Sequence, residues 1–224
     1  MIVINPRVDR LPADLIERFK SIEPASVGHM IEFGFCDPQL HPLWRPCRVV
    51  GPAVTVRTTA LDSTIVHVAI DATVPGDVLL IDRNGDDRHA CWGGLTSLAA
   101  QMRGIAGVIV DGCVTDYTEI EEMRFPVYGR TITALTTKGL ALEGEINVPI
   151  QIGGVTVHPG DLVVADSDGI LILTPEMAAQ VVDEAEARQK RGLWVRDELL
   201  KGARISDLTK AADKIRARME AESP

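Results

Sequence analysis

A pair of glycines stands where a polar loop runs into a predicted helix. The run Gly93-Gly94-Leu95-Thr96 opens this helix. Glycines let the backbone approach a ligand closely, and the first turn of a helix presents unpaired N–H groups at its positive dipole end. The run therefore predicts a small binding site for a carboxylate or a phosphate. A tight strand-to-helix turn explains the same two glycines, so both interpretations stand.

A second polar cluster, Asp111-Gly112-Cys113-Val114-Thr115-Asp116, follows the next predicted strand. It stands at the carboxyl end of that strand, where open α/β sheets place their ligands. Asp116 can bind Mg²⁺ through one carboxylate while water fills the other positions. The structural alternative is that Asp111-Gly112 forms a turn and that Asp116 caps a helix over residues 117–123. The predicted anion site on the neighbouring connection favours the functional interpretation.

The remaining titratable residues give weaker indications. His89 lies near the predicted site and is a candidate acid or base, although a loop histidine with a structural partner is the commoner case. The five histidines show no H-x-x-x-H spacing, so we expect no zinc site. The motifs G-x-S-x-G and G-x-G-x-x-G are absent, which argues against a serine nucleophile and a nucleotide site. A further set of aspartates could bind a metal, although each also fits a solvated turn, which is the commoner case: Asp82, Asp86, Asp87, Asp161, Asp166 and Asp168.

A predicted βαβ unit positions both clusters. Val78–Asp82 is an apolar strand, the glycine pair opens a helix that ends at Gly104, and Gly107–Asp111 is the next strand. A strand–helix–strand alternation of this length is typical of a parallel pair of strands. The sequence therefore predicts the α/β class.

The chain is predicted to form a single domain, 1–224, in three parts. These are a helical N-terminal segment (1–46), an α/β core (47–174) and a C-terminal helical arm (175–224). Short strands bounded by turn residues fill the second half of the core.

Cap and breaker residues set the expected ends of several helices. One helix begins at Leu11, and Ser26 is expected to cap the next. Gly192 and Gly202 are expected to interrupt the terminal helix.

One short pattern occurs twice. Residues 75–82 begin with Pro-Gly-Asp before an apolar strand, and residues 159–166 do the same. Repeated architecture explains the echo, and so does the turn chemistry of Pro-Gly-Asp by itself.

Composition excludes several classes of protein. The net charge is −9 and the isoelectric point is near 5.0, which disfavours a protein that tracks nucleic-acid phosphates. Aromatic residues make up 4% of the chain and offer little for stacking bases. The apolar runs are too short to span a membrane, and no leader opens the chain. We expect a cytoplasmic protein with reduced cysteines, no nucleic-acid partner and no membrane partner.

These motifs together resemble the RraA-like family. The matching residues are Pro75-Gly76-Asp77, Trp92-Gly93-Gly94, Gly104–Gly112, Asp116 and Pro159–Gly169, in the expected order. The resemblance implies an α/β sandwich with a swivelling-domain-like β/β/α core and flanking terminal helices. It also implies homotrimers or homohexamers with active sites at subunit interfaces. The family includes class II aldolases that release pyruvate, oxaloacetate decarboxylases and an inhibitor of ribonuclease E.

The resemblance implies a mechanism for the predicted site. Mg²⁺ or Mn²⁺ at Asp116 chelates a small 2-oxo acid and stabilises the pyruvate enolate, and the amides of Leu95 and Thr96 hold its carboxylate. Gly93, Gly94 and Thr115 complete the substrate site. Asp116, Thr115 and His89 are the catalytic candidates.

The chain departs from the aldolase pattern at three positions. Thr115 replaces an arginine that makes bidentate contacts to substrate oxygens, Gly94 replaces an acidic residue, and the interface acid is replaced near Arg191-Gly192. Both lost activity and a changed substrate remain open. Arg83, Arg88 and Arg130 are candidate replacement cations, and His89 is a candidate base.

Three hypotheses follow for the function. The first is a divalent-metal-dependent lyase, an aldolase or a decarboxylase, acting on a small 2-oxo acid. The second is a non-catalytic regulator that binds a protein partner, with which the acidic surface is compatible. The third is a metabolite-binding oligomer.

Overall fold

The computed structural model describes residues 1–9, 11–59 and 61–222, in two compact units, Met1–Val182 and Asp183–Pro224. The strands are β1 (Ile2–Ile4), β2 (His41–Pro42), β3 (Val49–Arg57), β4 (Val78–Asp82), β5 (Gly107–Asp111), β6 (Cys113–Val114), β7 (Val127–Gly129), β8 (Thr131–Ile132), β9 (Gly144–Ile146), β10 (Ile150–Ile152), β11 (Val155–Val157), β12 (Leu162–Ala165) and β13 (Ile170–Leu173). The helices are α1 (Ala13–Phe19), α2 (Pro24–Gly28), α3 (Thr64–Asp71), α4 (Gly94–Met102), α5 (Tyr117–Met123), α6 (Pro175–Leu200), α7 (Ile205–Leu208) and α8 (Ala211–Glu222).

Four parallel strands form the centre of the first unit, in the order β3-β4-β5-β7. Val54, Leu79, Val108 and Val127 align across them in register. All residues of β4 are buried, which is typical of a parallel strand covered on both faces. The predicted βαβ unit, formed by β4, α4 and β5, is confirmed.

Alternate residues of the central strands supply two hydrophobic cores. Leu79 and Ile81 pack with α3, α4 and α5, whereas Val78 and Leu80 pack with β10 to β13. The first half of β3 pairs antiparallel with β12, and its second half pairs parallel with β4. The resulting β/β/α layering is the predicted α/β sandwich.

Several predicted ends and caps need correction. Residues 2–4, placed in the helical N-terminal segment, form β1, which pairs parallel with β9. Ser26 lies inside α2, which begins at Pro24, since proline suits the first turn of a helix. Gly192 lies inside α6 without interrupting it, because a single glycine costs a long helix only about 1 kcal/mol. Gly202 follows the end of α6 with a φ of +95°.

The repeated Pro-Gly-Asp pattern is a repeated turn. Asp77 Oδ2 accepts the N–H of Val74 at 2.9 Å, and Asp161 Oδ2 accepts the N–H of His158 at 2.7 Å. The strands that follow have opposite relations to β3, since β4 is parallel to it and β12 antiparallel. Turn chemistry therefore accounts for the repeated Pro-Gly-Asp pattern.

The second unit is helical, with mixed charges and many exposed apolar side chains. Within it, the Arg191 guanidinium lies 5.7 Å from the centroid of the Trp194 ring. None of the described helices combines the length and the apolar character needed to cross a membrane.

The junction of β3 and β4 gives a stability test. A Cβ on Gly51 would collide with the backbone carbonyl oxygen of Gly76. Gly51→Ala should therefore lower the free energy of unfolding by about 1–3 kcal/mol, as overpacking does. A Cβ on Gly169 meets open space, so Gly169→Ala should change stability by less than about 0.5 kcal/mol. Urea unfolding followed by circular dichroism measures both, and equal effects would contradict the close packing at Gly51.

Candidate functional site

An open cleft of about 280 Å³ lies where the connections after β4 and β5 meet. The first connection supplies the start of α4, and the second supplies Thr115 and Asp116. A third segment, residues 133–142, crosses beside them and is called the strap below. The predicted residues Gly93, Leu95, Thr96, Thr115 and Asp116 all line this cleft.

The start of α4 presents open backbone donors. The Thr96 hydroxyl accepts the N–H of Gly93 at 2.9 Å, and the Ser97 hydroxyl donates to the Gly93 carbonyl at 2.8 Å. Trp92 Nε1 donates to Ser97 Oγ at 2.8 Å and anchors the turn in the core. The N–H groups of Leu95 and Thr96 belong to the first turn of α4, where the body of a helix supplies no carbonyl for them. These two amides and the helix dipole are the groups from which the glycine pair predicts an anion site, and that site stays a prediction.

Asp116 ties the two connections together. Its Oδ2 accepts the N–H of Gly94 at 2.9 Å, and its Oδ1 accepts the Thr115 hydroxyl at 3.2 Å. Asp116 occupies the N-cap position of α5, but its side chain makes no capping hydrogen bond to that helix. The predicted capping role is therefore correct for the position of Asp116 and wrong for its side chain. Its backbone is left-handed, with φ 56° and ψ 40°, a conformation that costs a non-glycine residue about 1–3 kcal/mol. In this conformation the Asp116 carboxylate accepts a hydrogen bond from the start of α4 and caps no N–H of α5.

The two glycines make room for two carboxylates. A Cβ on Gly93 would collide with the Asp116 carboxylate, and a Cβ on Gly94 would collide with the carboxylate of Glu119. Glu119 therefore occupies the space of the acidic side chain that the resemblance expects at position 94. Glu119 is not among the predicted site residues, although the spacing D-x-x-E at a helix start is a recognisable signal.

The Asp116 carboxylate is a ligand that suits a hydrated magnesium ion. Carboxylate oxygens are the ligands that Mg²⁺ prefers, and Mg²⁺ commonly keeps several waters beside one or two carboxylates. Within residues 1–9, 11–59 and 61–222, no group of three or more His, Cys, Asp or Glu side chains forms a closed metal site. An ion held by Asp116 would take its remaining ligands from water and substrate.

The strap adds a cation that the sequence analysis missed. Lys138 lines the cleft, and the strap is joined to the loop before α4 by the bridge between Ala90 and Thr136. His67, on the exposed face of α3, lines the cleft as well. No local motif marks either residue, because only the fold brings the strap and α3 beside α4.

The other predicted site residues lie elsewhere. His89 Nδ1 is 3.0 Å from Asp86 Oδ1, and His89 does not line the cleft. Arg83 is buried and donates to Asp86 at 2.9 Å. Arg130 bonds to Asp111 and Asp37, while Arg88 is exposed outside the cleft. These three arginines therefore do not replace the missing cation at position 115.

The cysteine of the cleft is not a ready nucleophile. Cys91 is buried, and burial raises the pKa of its thiol to about 11. The thiolate is the reactive form, so the thiol is inert at neutral pH. Cys36, Cys47 and Cys113 are also buried and unpaired in disulfides, as expected for reduced cysteines.

Comparison with known proteins identifies the family. The RraA-like family, described as Aldolase/RraA, matches residues 15–172. The chain belongs to the RraA-like family. A protein of Halalkalibacterium halodurans named "Putative 4-hydroxy-4-methyl-2-oxoglutarate aldolase" is 34% identical over 178 residues, covering 79% of this chain and 84% of that protein.

Solved structures share the fold. The RNA-processing inhibitor RraA of Thermus thermophilus is 30% identical, with a TM-score of 0.58 over 63% of this chain and 84% of that chain. An uncharacterized protein of Pseudomonas syringae pv. tomato is 22% identical, with a TM-score of 0.77 over 92% of this chain and 98% of that chain. The second likeness is one of fold alone. The predicted family and sandwich fold are confirmed.

The cleft predicts metal-dependent stabilisation that requires Asp116. At ten times its dissociation constant, Mg²⁺ should add about 1.4 kcal/mol and raise Tm by roughly 3–6 °C. Asp116→Asn should abolish the rise, because it removes the charged ligand, whereas Asp168→Asn in an exposed turn should retain it. Thermal unfolding with and without MgCl₂ measures the shift. An equal rise in both variants would rule out Asp116 as the ligand.

Proposed function

We propose that this chain is a divalent-metal-dependent carbon–carbon lyase that releases pyruvate from a 2-oxo dicarboxylic acid. One observation carries the proposal: Leu95 and Thr96 in the first turn of α4, Asp116 and Lys138 all line one cleft. Anion donors, a metal-binding oxygen and a separate cation are the groups that such a substrate needs. The aldolase name of the Halalkalibacterium relative supports the same class of reaction.

The proposed binding mode uses the two ends of the cleft. The carboxylate next to the 2-oxo group binds the amides of Leu95 and Thr96, and Thr96 Oγ1 remains engaged with Gly93. The distal carboxylate faces Lys138. A lysine ammonium is a point charge without the forked geometry of arginine, so it attracts this carboxylate without setting its orientation.

The residues of the chain also suggest how the bond breaks. A divalent cation at Asp116 would act as a Lewis acid for the 2-oxo group. For 4-hydroxy-4-methyl-2-oxoglutarate, His67 takes the proton of the C4 hydroxyl, the C3–C4 bond breaks, and its electron pair passes to C3. The products are one pyruvate and one pyruvate enolate, which gains a proton at C3. A neutral imidazole can accept such a proton near neutral pH.

An apolar stripe beside the cleft supports a homo-oligomer. Leu95, Leu98 and Met102 lie on the outer face of α4 and are exposed by 79%, 43% and 78%. Their spacing of three and four residues places them on one side of the helix. Exposed apolar patches of this kind mark interaction sites, and we propose that a second copy covers this one.

A regulatory role is the second candidate function. The similar structure from Thermus thermophilus is named an RNA-processing inhibitor, and Thr115 replaces the arginine expected of an aldolase. A regulator would bind a basic protein through this acidic chain without turning over a 2-oxo acid.

Pyruvate release tests the proposal. The wild type should release pyruvate from oxaloacetate or from 4-hydroxy-4-methyl-2-oxoglutarate only with Mg²⁺ or Mn²⁺, and Asp116→Asn should abolish release. Lys138→Ala should raise KM about ten- to hundredfold through loss of a charged contact. Lys20→Ala removes the other lysine of the first unit, outside the cleft, and should match the wild type.

The outcomes separate the two candidate functions. A coupled assay with lactate dehydrogenase measures the release of pyruvate. Absence of turnover with both substrates, together with recovery of a basic partner independent of metal, would reject the lyase in favour of the regulator.

A further inference from the structure

One buried carboxylate holds the strap that carries Lys138. Asp62 has a relative exposure of 0%. Its Oδ1 accepts the Thr64 N–H at 2.9 Å, the Thr64 hydroxyl at 2.6 Å and the Leu140 N–H at 3.1 Å. Its Oδ2 accepts the Leu142 N–H at 2.7 Å. The same side chain therefore binds the start of α3 and two residues of the strap.

These donors stabilise the charge of Asp62. Within the part of the chain that the structure describes, no lysine, arginine or histidine contributes to it. Burial by itself raises the pKa of Asp62, but the hydrogen bonds from Thr64, Leu142 and Leu140 outweigh burial and lower the pKa strongly. The lowered pKa keeps the Asp62 carboxylate ionised at neutral pH, where it can accept all four hydrogen bonds.

Lys138 itself is bound to the residues that flank Asp62. Its backbone N–H donates to the Leu61 carbonyl at 2.8 Å, and its carbonyl accepts the Ser63 N–H at 3.1 Å. Directly after Lys138 the chain turns back through Ala141, whose φ is +52°. The Ala141 N–H donates to the Thr64 hydroxyl at 3.0 Å. The turn after Lys138 thus depends on acceptors supplied by Asp62 and Thr64.

We infer that Asp62 is a positioning residue, which sets Lys138 against the start of α4 by holding the strap in one conformation. This inference rests on the proposed function only for the role of Lys138. Asp62 does not line the cleft, so it acts through the strap and not on the substrate. An amide cannot replace it, since an asparagine NH₂ would face one of the N–H donors that now converge on the carboxylate.

The test compares Asp62→Asn with Asp161→Asn. Asp161 is a matched control because its relative exposure is 1% and it accepts the N–H of a turn, His158, outside the cleft. Both variants remove a buried charge. Only Asp62→Asn should lower hydrogen-exchange protection at Leu140 and Leu142, by about tenfold, which is the effect of one lost hydrogen bond.

Two further readouts connect the strap to Lys138. Acetylation by acetic anhydride, followed by mass spectrometry, gives the labelling rate of Lys138 relative to Lys20 and needs no enzymatic activity. This ratio should change at least about threefold in Asp62→Asn and stay constant in Asp161→Asn. In the pyruvate assay, Asp62→Asn should raise KM about tenfold and leave kcat within about threefold, since only a charged contact is misplaced.

The outcomes distinguish this inference from the proposed function. Unchanged exchange and labelling in Asp62→Asn would overturn the positioning role, whatever the activity. Changed labelling in Asp62→Asn, together with a wild type that releases no pyruvate, would support the positioning role and reject the lyase. If Asp62→Asn fails to fold, Thr64→Val removes the hydroxyl between Asp62 and Ala141 and should produce the same effects at smaller size.

Discussion

The hydrogen bond from the Gly94 N–H to Asp116 is the contact on which the candidate site depends. It joins the connection after β4 to the connection after β5, so the start of one helix and the carboxylate before the next act as one unit. The contact requires glycine at position 93, where a Cβ would collide with the Asp116 carboxylate, and it is made by an aspartate in the left-handed conformation. Strain of this kind is retained where the surrounding structure demands it, typically at functional sites.

The carboxylates of this acidic chain divide into two groups by burial. Asp62, Asp77 and Asp161 are buried and accept backbone N–H groups, so they shape turns and the strap. Asp116 and Glu119 are exposed at the open end of α4, where water and a ligand can reach them. The same residue type therefore serves architecture or chemistry according to its access to solvent.

The cleft combines the family's backbone site with an altered charge pattern. Position 115 holds threonine, whose hydroxyl supports Asp116, and the arginines predicted as substitutes are engaged in structural contacts. Lys138 brings positive charge to the cleft from the strap. Because a lysine lacks the fork of arginine, the proposed lyase would select among 2-oxo acids differently from an arginine-containing site.

The sequence by itself determined the parts that depend on local chemistry. The bounds of β4 and β5, the glycine start of α4, and the placement of Thr115 and Asp116 after β5 follow from apolar runs and turn residues. Only the tertiary structure decided which distant side chains meet there. His67, Glu119 and Lys138 come from three separate elements. His89 instead lies beside Asp86, three residues earlier in the chain. Convergence of this kind depends on packing and long-range backbone hydrogen bonds, such as those of Asp62, which leave no periodic pattern in the sequence.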